Sequence, residues 1–346
     1  MLSRENYTME NIMELKKKYK KDPGLLERVM YAFGLLEALS MVEMPFIFKG
    51  GTCLMLLTEH PRRLSTDIDI IVEPGTDIDY YIAEASKLFP FKRVEEQIRI
   101  GKNKIEKRHF KFIYDSPMKG AEFYILLDAV FTENIYEAVV QKEIKNELLI
   151  VENEPIVVTV PSADCILGDK LTAFAPHTTG IPFGIDKELE IMKQMYDVVT
   201  LSDVLRNQKE MEITYKRTAL EEIAYRGIDA TPEDVLRDTI RSAACIIGKG
   251  ASDAEEYPLY LSGAKSLDNH VLGGRYSGEI AALQACKAMY LAACVLTGSR
   301  FKKIEHPEEY IDANIGKTKY KKLSYIKKYK LESYGYLVEA VQLLEG

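Results

Sequence analysis

The spacing of hydrophobic positions changes along the chain, and the change divides it in two. Over residues 8–42, Met13, Leu15, Leu25, Leu26, Val29, Met30, Phe33, Leu36 and Leu39 recur at helical spacing, with a break at Asp22-Pro23-Gly24. A short apolar piece, Pro45-Phe46-Ile47-Phe48, leads into Lys49-Gly50-Gly51-Thr52. The apolar run 53–57 then starts a helix that His60-Pro61 stops. Residues 66–72 (TDIDIIV) are β-branched and apolar, which predicts a strand ended by Pro74-Gly75. A helix is expected over 78–89, and further strands over 108–114, 123–131 and 156–160.

After Ser162 the period becomes helical and stays so. Residues 162–175 predict a helix and 176–182 a loop. From about 187 to the end the chain reads as helix, apart from Gly-, Ser- and Pro-containing loops near 248–275. No internal repeat is visible. The expected architecture is an α/β (α+β) domain with a mixed sheet and N-terminal helices over residues 1–161. A helical domain over 162–346 is expected to contribute to an active-site cleft.

Composition narrows the class. The chain has 346 residues, 47% hydrophobic and 29% charged, the balance of an ordinary globular protein with room for two cores. No apolar run is read as approaching the roughly 18 residues of a membrane span, and the N-terminus lacks a signal-like apolar segment. A cytoplasmic protein without a membrane partner is therefore expected. Cys53, Cys165, Cys245, Cys286 and Cys294 are odd in number and form no CxxC pair, so neither a disulfide framework nor a zinc site is indicated. A net charge of −7 argues against general charge-driven nucleic-acid binding. Two basic clusters stand against that sign, one around Tyr19 and one at 317–330 where lysines alternate with Tyr320, Tyr325 and Tyr329. A solvated helix face is the plainer reading of the second, RNA binding the sharper one.

The candidate chemistry lies in the first half. Asp67 and Asp69, two apart on an expected strand, project from one face, while Ile68 and Ile70 point into a core. Two such carboxylates repel unless a cation binds them, and Mg²⁺ (or Mn²⁺) is the natural partner alongside substrate phosphates. Asp128 ends the apolar run Tyr124-Ile125-Leu126-Leu127, and if its strand neighbours the first, three carboxylates converge. Gly50-Gly51 precede a helix start, where the backbone can approach a phosphate and free N–H groups point at it. Thr52 adds a hydroxyl, and Arg62, Arg63 and Ser65 supply phosphate donors. Each element alone has a plainer reading: a Gly-Gly turn, a solvated Asp-x-Asp, a strand-end aspartate capping a turn. Their order is what is specific.

These residues resemble the signature of the DNA polymerase β nucleotidyltransferase superfamily. The string Lys49-Gly50-Gly51-Thr52-Cys53-Leu54, followed by Arg63-Leu64-Ser65-Thr66-Asp67-Ile68-Asp69, is similar to the AbiEii/AbiGii-type nucleotidyltransferase toxins of abortive-infection systems. Leu167-Gly168-Asp169-Lys170-Leu171 and Lys193-Gln194-Met195-Tyr196-Asp197 resemble two downstream motifs of that family, with Lys193 and Gln194 departing from the usual arginine and acidic residue.

The resemblance implies a metal-dependent enzyme that transfers a nucleotide from an NTP to an acceptor, RNA and in particular the tRNA 3′ end, opposed by a cognate antitoxin. Asp67, Asp69 and Asp128 would hold metal, with Asp128 the third carboxylate or general base. Thr52 and Ser65 would touch triphosphate, Lys170 would neutralise phosphate charge, and Asp197 would complete the site from the helical side. Two rivals stand beside this reading: a small-molecule nucleotidyltransferase of the antibiotic-modifying kind, and a non-catalytic nucleotide- or RNA-binding module. His177, in a Gly/Pro-flanked loop, reads as an exposed histidine or a lid residue.

Overall fold

A computed structural model describes residues 1–97 and 106–346. It contains two compact units, one of residues 1–162 with 269–274, the other of residues 163–268 with 275–346.

In the first unit, helices α1 (Met9–Tyr19) and α2 (Pro23–Met41) follow the apolar spacing. Asp22 caps α2 by accepting the Leu25 N–H, and Pro23 opens its first turn. Strand β1 (Ile47–Lys49), helix α3 (Gly50–Leu57), β2 (Ile68–Val72), α4 (Ile78–Ala85), β3 (Arg93–Glu96), β4 (Lys107–Ser116) and β5 (Ala121–Phe131) come next. The five strands form one mixed sheet in the order β1-β2-β5-β4-β3. Its only parallel pair among the described residues is β2 with β5. Strands β6 (Val139–Glu143) and β7 (Val157–Pro161) form a separate two-stranded sheet.

Alternation sorts the sheet's residues onto two faces. Ile68 and Ile70 on β2, Ile125, Leu127 and Ala129 on β5, and Phe110, Phe112 and Tyr114 on β4 share the buried face. Helix α2 packs there, with Tyr31 stacked on Tyr114 at 3.6 Å between ring centroids. Buried Glu27 of α2 accepts from Tyr114 Oη, Ser116 Oγ and the Met118 N–H, so its charge is met by three donors on the β4–β5 hairpin. The opposite face keeps the polar alternates. That face carries the site.

The second unit is helical: α5 (Ala163–Ala173), α6 (Glu188–Ser202), α7 (Gln208–Arg226), α8 (Pro232–Ile247), α9 (Tyr257–Leu267), α10 (Gly278–Thr297) and α11 (Leu331–Glu345). Contrary to the sequence expectation, α10 is long and apolar enough to cross a membrane. It packs against α6, α8, α9 and α11, and Ala285, Cys286, Ala288, Met289, Leu291 and Ala292 are fully buried, as in the central helix of a core. All five cysteines are buried and none is in a disulfide among the described residues. The lysine–tyrosine segment forms a 3₁₀ helix at Lys321–Lys328, with Leu323 and Ile326 turned inward and Tyr325 Oη bonded to the Ile247 carbonyl. Of its tyrosines only Tyr329 is exposed.

Candidate active site

Strand register assembles the site. Lys49 on β1 pairs with Asp69 on β2, Asp69 with Asp128 on β5, and Asp128 with His109 on β4. Residues directly opposite across strands share a face. Lys49, Asp69, Asp128 and His109 therefore form one transverse row across four strands, on the face opposite α2. His109 Nδ1 lies 2.6 Å from Asp128 Oδ1, which fixes that carboxylate. Strand β2 begins at Ile68, so Asp67 precedes the strand rather than lying on it, and it is exposed while Asp69 is half-buried.

The glycines make room for the site's own side chains. Gly50 has φ +79°, and a Cβ there would stand 2.0 Å from Asp69 Oδ2. The space a side chain would occupy is filled by the carboxylate. A Cβ on Gly51 would stand 2.7 Å from Ser65 Oγ and 2.8 Å from Arg63 Nη2. The first turn of α3 is thus flanked by a carboxylate on one side and by a hydroxyl and guanidinium on the other. Lys49, at the N-cap position, supplies no side-chain acceptor to that turn. The helix end keeps its positive dipole facing a region rich in anion donors.

Two expected phosphate ligands have other engagements. Thr52 is fully buried, and its hydroxyl donates to the Asp67 carbonyl at 2.7 Å, tying α3 to the segment entering β2. Arg63 is 5% exposed and donates from Nη1 to the Leu64 carbonyl. A distant segment reinforces this stretch. The Leu64 N–H donates to His270 O and the Leu272 N–H to Arg62 O, an antiparallel bridge centred on Arg63 and Val271. Residues 269–274 thereby pair with the stretch that precedes β2.

In the helical unit, α5 and α6 bring Lys170 and Asp197 together. Lys170 Nζ donates to Gln194 Oε1 at 2.8 Å and lies 3.3 Å from Asp197 Oδ2, with side chains 9% and 2% exposed. Lys170, expected to neutralise phosphate charge, is therefore paired inside the protein. Gln194, the departure from the family motif, is the lysine's second partner. Gly168 serves packing, since a Cβ there would meet the Met211 carbonyl of α7 at 2.4 Å. His177 is exposed in its loop, as expected, and is also bonded there. Its Nδ1 bonds Asp238 and its Nε2 bonds Glu256. The Asp238 contact foremost, then Glu256, raises its pKa against the opposing effect of burial.

Sequence reasoning missed His109, Lys49 as a member of the row, and the 269–274 bridge. A histidine within an expected strand, 108–114, was the available signal. The bridge joins residues some two hundred positions apart and leaves no local mark.

As they stand, the described residues include no group of three or more His, Cys, Asp or Glu side chains arranged to enclose a metal ion. Two neighbouring carboxylates nevertheless supply the hard oxygen donors Mg²⁺ takes when substrate phosphates complete its shell. The donor set fits a cation arriving with its nucleotide.

A mixed sheet with aspartates side by side on a parallel strand pair, beside a glycine-led helix, matches the arrangement the sequence motifs led one to expect. The model of the family described as "Nucleotidyl transferase AbiEii toxin, Type IV TA system" matches residues 35–254, and the chain belongs to that family. It is accordingly a nucleotidyltransferase of toxin type, with a nucleotide substrate and a cognate antitoxin. No curated protein matches the chain. Among solved structures, JHP933 from Helicobacter pylori is similar at 14% identity and TM-score 0.46, over 79% of this chain and 93% of that one. An antigenic nucleotidyltransferase-like protein from Paracoccidioides brasiliensis is similar at 15% identity and TM-score 0.38, over 57% and 86%.

Proposed function

We propose that this chain transfers a nucleotide from an NTP to a hydroxyl of RNA, the tRNA 3′ end foremost, in the cytoplasm and with Mg²⁺ or Mn²⁺. The observation that carries the reading is the register pairing of Asp69 with Asp128 beside the first turn of α3. Asp67 and Asp69 would hold the metal, with Asp128 beside Asp69 as the base. A divalent cation there supplies polarisation of phosphoryl oxygens and neutralises charge as it develops.

The chain's own residues do the rest. The first-turn N–H groups at Gly50-Gly51 bind phosphate oxygens, with Ser65 and Arg63 beside them. Thr52 is a positioning residue, acting through the Asp67 backbone. The acceptor hydroxyl oxygen bonds to the α-phosphorus as the α–β bridging bond breaks, and the electron pair leaves with pyrophosphate. Asp128 takes the hydroxyl proton while His109 holds its other oxygen in place. Lys170 and Asp197 act as a buried pair that sets α5 against α6, not as phosphate ligands.

Incubating the protein with each labelled NTP and total tRNA tests the proposal. Label should appear on RNA, vanish with chelator, and fall about a hundred- to a thousandfold in Asp69→Asn, as removal of a group acting on transition-state charge entails. Label on a small acceptor with none on RNA refutes the RNA reading. Undiminished transfer by Asp69→Asn refutes the metal carboxylates.

A further inference from the structure

The helical unit holds a charged basin that the site above does not use. A cavity of about 450 Å³ opens where the end of α6, the start of α7 and the chain leaving α10 meet. Arg206, Lys209, Arg300 and Lys303 line it, and Glu212 is the one carboxylate in its wall. All four cations are exposed, and none makes an ion pair among the described residues. Glu212 is already engaged by the Gln208 amide. In a chain of net charge −7, four unpaired cations around one hollow repel one another, and an incoming polyanion relieves that repulsion.

The walls are built. Asp164, buried on α5, accepts the Arg206 and Asn207 N–H groups and fixes the loop between α6 and α7. Gln208 donates to the Ser299 carbonyl and accepts the Phe301 N–H, both at 2.8 Å, joining the α10 exit to the first turn of α7. Phe301, beneath, is buried against Tyr290 and Tyr336. The cations therefore project from a rigid rim. The lining offers no exposed aromatic ring on which a base would stack. Such a basin reads backbone charge and not sequence.

We propose that this basin binds the phosphodiester backbone of the RNA acceptor, as an anchor separate from the nucleotide site. The assignment rests on RNA being the acceptor. Lysine-rich surface elsewhere supplies the comparison: Lys317, Lys321, Lys322 and Lys328 are equally exposed and lie outside this cavity's lining.

The test measures equilibrium binding of labelled total tRNA to the full chain across a salt series, without NTP. A variant carrying Arg206→Gln, Lys209→Gln, Arg300→Gln and Lys303→Gln should bind at least about tenfold more weakly. It should also show a log–log salt slope shallower by about three, at roughly 0.7–0.9 per phosphate contact. The pair Arg206→Gln/Lys303→Gln should give about half that change in slope and guards against misfolding of the fourfold variant. The matched control, glutamine at Lys317, Lys321, Lys322 and Lys328, should keep the wild-type slope. Unchanged binding by the basin variants, an equal loss in the control, or no RNA binding by the wild type overturns the basin. Label transfer, measured separately, distinguishes the two claims. Basin-dependent binding without label on RNA removes the acceptor reading and leaves the anchor.

Discussion

Two polar clusters use similar residues to opposite ends. On the sheet, Asp69 and Asp128 stand side by side on a half-buried face, with Lys49 and His109 at the ends of the row. In the helical unit, Asp197 is almost wholly buried and its charge is met by Lys170, which Gln194 also holds. Neighbouring carboxylates within reach of solvent offer oxygen donors to an external divalent cation, whose remaining shell a triphosphate can complete. A carboxylate sealed against a lysine makes no such offer. The difference is one of exposure and pairing: motif residues in both clusters match the family, but the first cluster lies within reach of solvent and the second is paired inside the protein.

The largest effect expected is on the sealed pair. Lys170→Met leaves Asp197 charged and buried, and should lower unfolding free energy by about 3–5 kcal/mol in urea denaturation. Lys170→Met with Asp197→Leu removes both charges and should recover most of that loss, because apolar pairs of similar volume replace buried ion pairs at little cost. Gln194 is half-buried, so its freed carbonyl can take water. If the double variant is as unstable as the single, the cluster is not a self-contained pair. If it folds well but loses transfer activity, Lys170 belongs with the chemistry and the comparison fails.

The next effect concerns the open row. Gly50→Ala adds a Cβ where Asp69 Oδ2 now lies, at a backbone φ of +79°. The left-handed backbone alone costs about 1–2 kcal/mol. Displacing the Asp69 carboxylate by an ångström should cost transfer about a hundredfold. The check is a kcat measurement beside a melting curve: a modest drop in Tm with near-normal kcat shows that Gly50 serves the fold alone.

That glycine also shows what the sequence carried and what it withheld. The alternation of Ile68 and Ile70 with Asp69 placed the carboxylate on the correct kind of face, because a half-buried strand leaves a period of two in the sequence. Strand β3, Arg93-Val94-Glu95-Glu96, was not expected, since it is an edge strand held partly by ion pairs such as Arg93–Glu122 and Arg108–Glu96. Nor did β6 announce itself, with all but one of its residues exposed. Asp128 was legible as the aspartate that ends an apolar run, though it lies within β5, and its register against Asp69 is a long-range fact that no local window contains. For the same reason Gly50-Gly51 read as a phosphate loop, while the structure shows it also accommodating Asp69, Arg63 and Ser65.

The smallest effect tests a third polar cluster, intermediate between the two. His177 bonds Asp238 through Nδ1 and Glu256 through Nε2, and its backbone N–H donates to the other Asp238 oxygen. Protonated imidazole donates from both nitrogens, so these carboxylates hold its pKa above the ordinary 6.5, Asp238 contributing most and burial opposing. The folded state therefore binds this proton more tightly than the unfolded chain. The stabilisation is complete below about 6.5, the unfolded value, and is lost as pH rises through the folded pKa. Subtracting the Tm of His177→Gln from that of the wild type across this range isolates the contribution. The difference should be greatest on the acid side and decline toward alkaline pH. A difference that stays constant would mean that His177 is held by neutral hydrogen bonds, and that the loop at 176–182 is fastened by shape and not by charge.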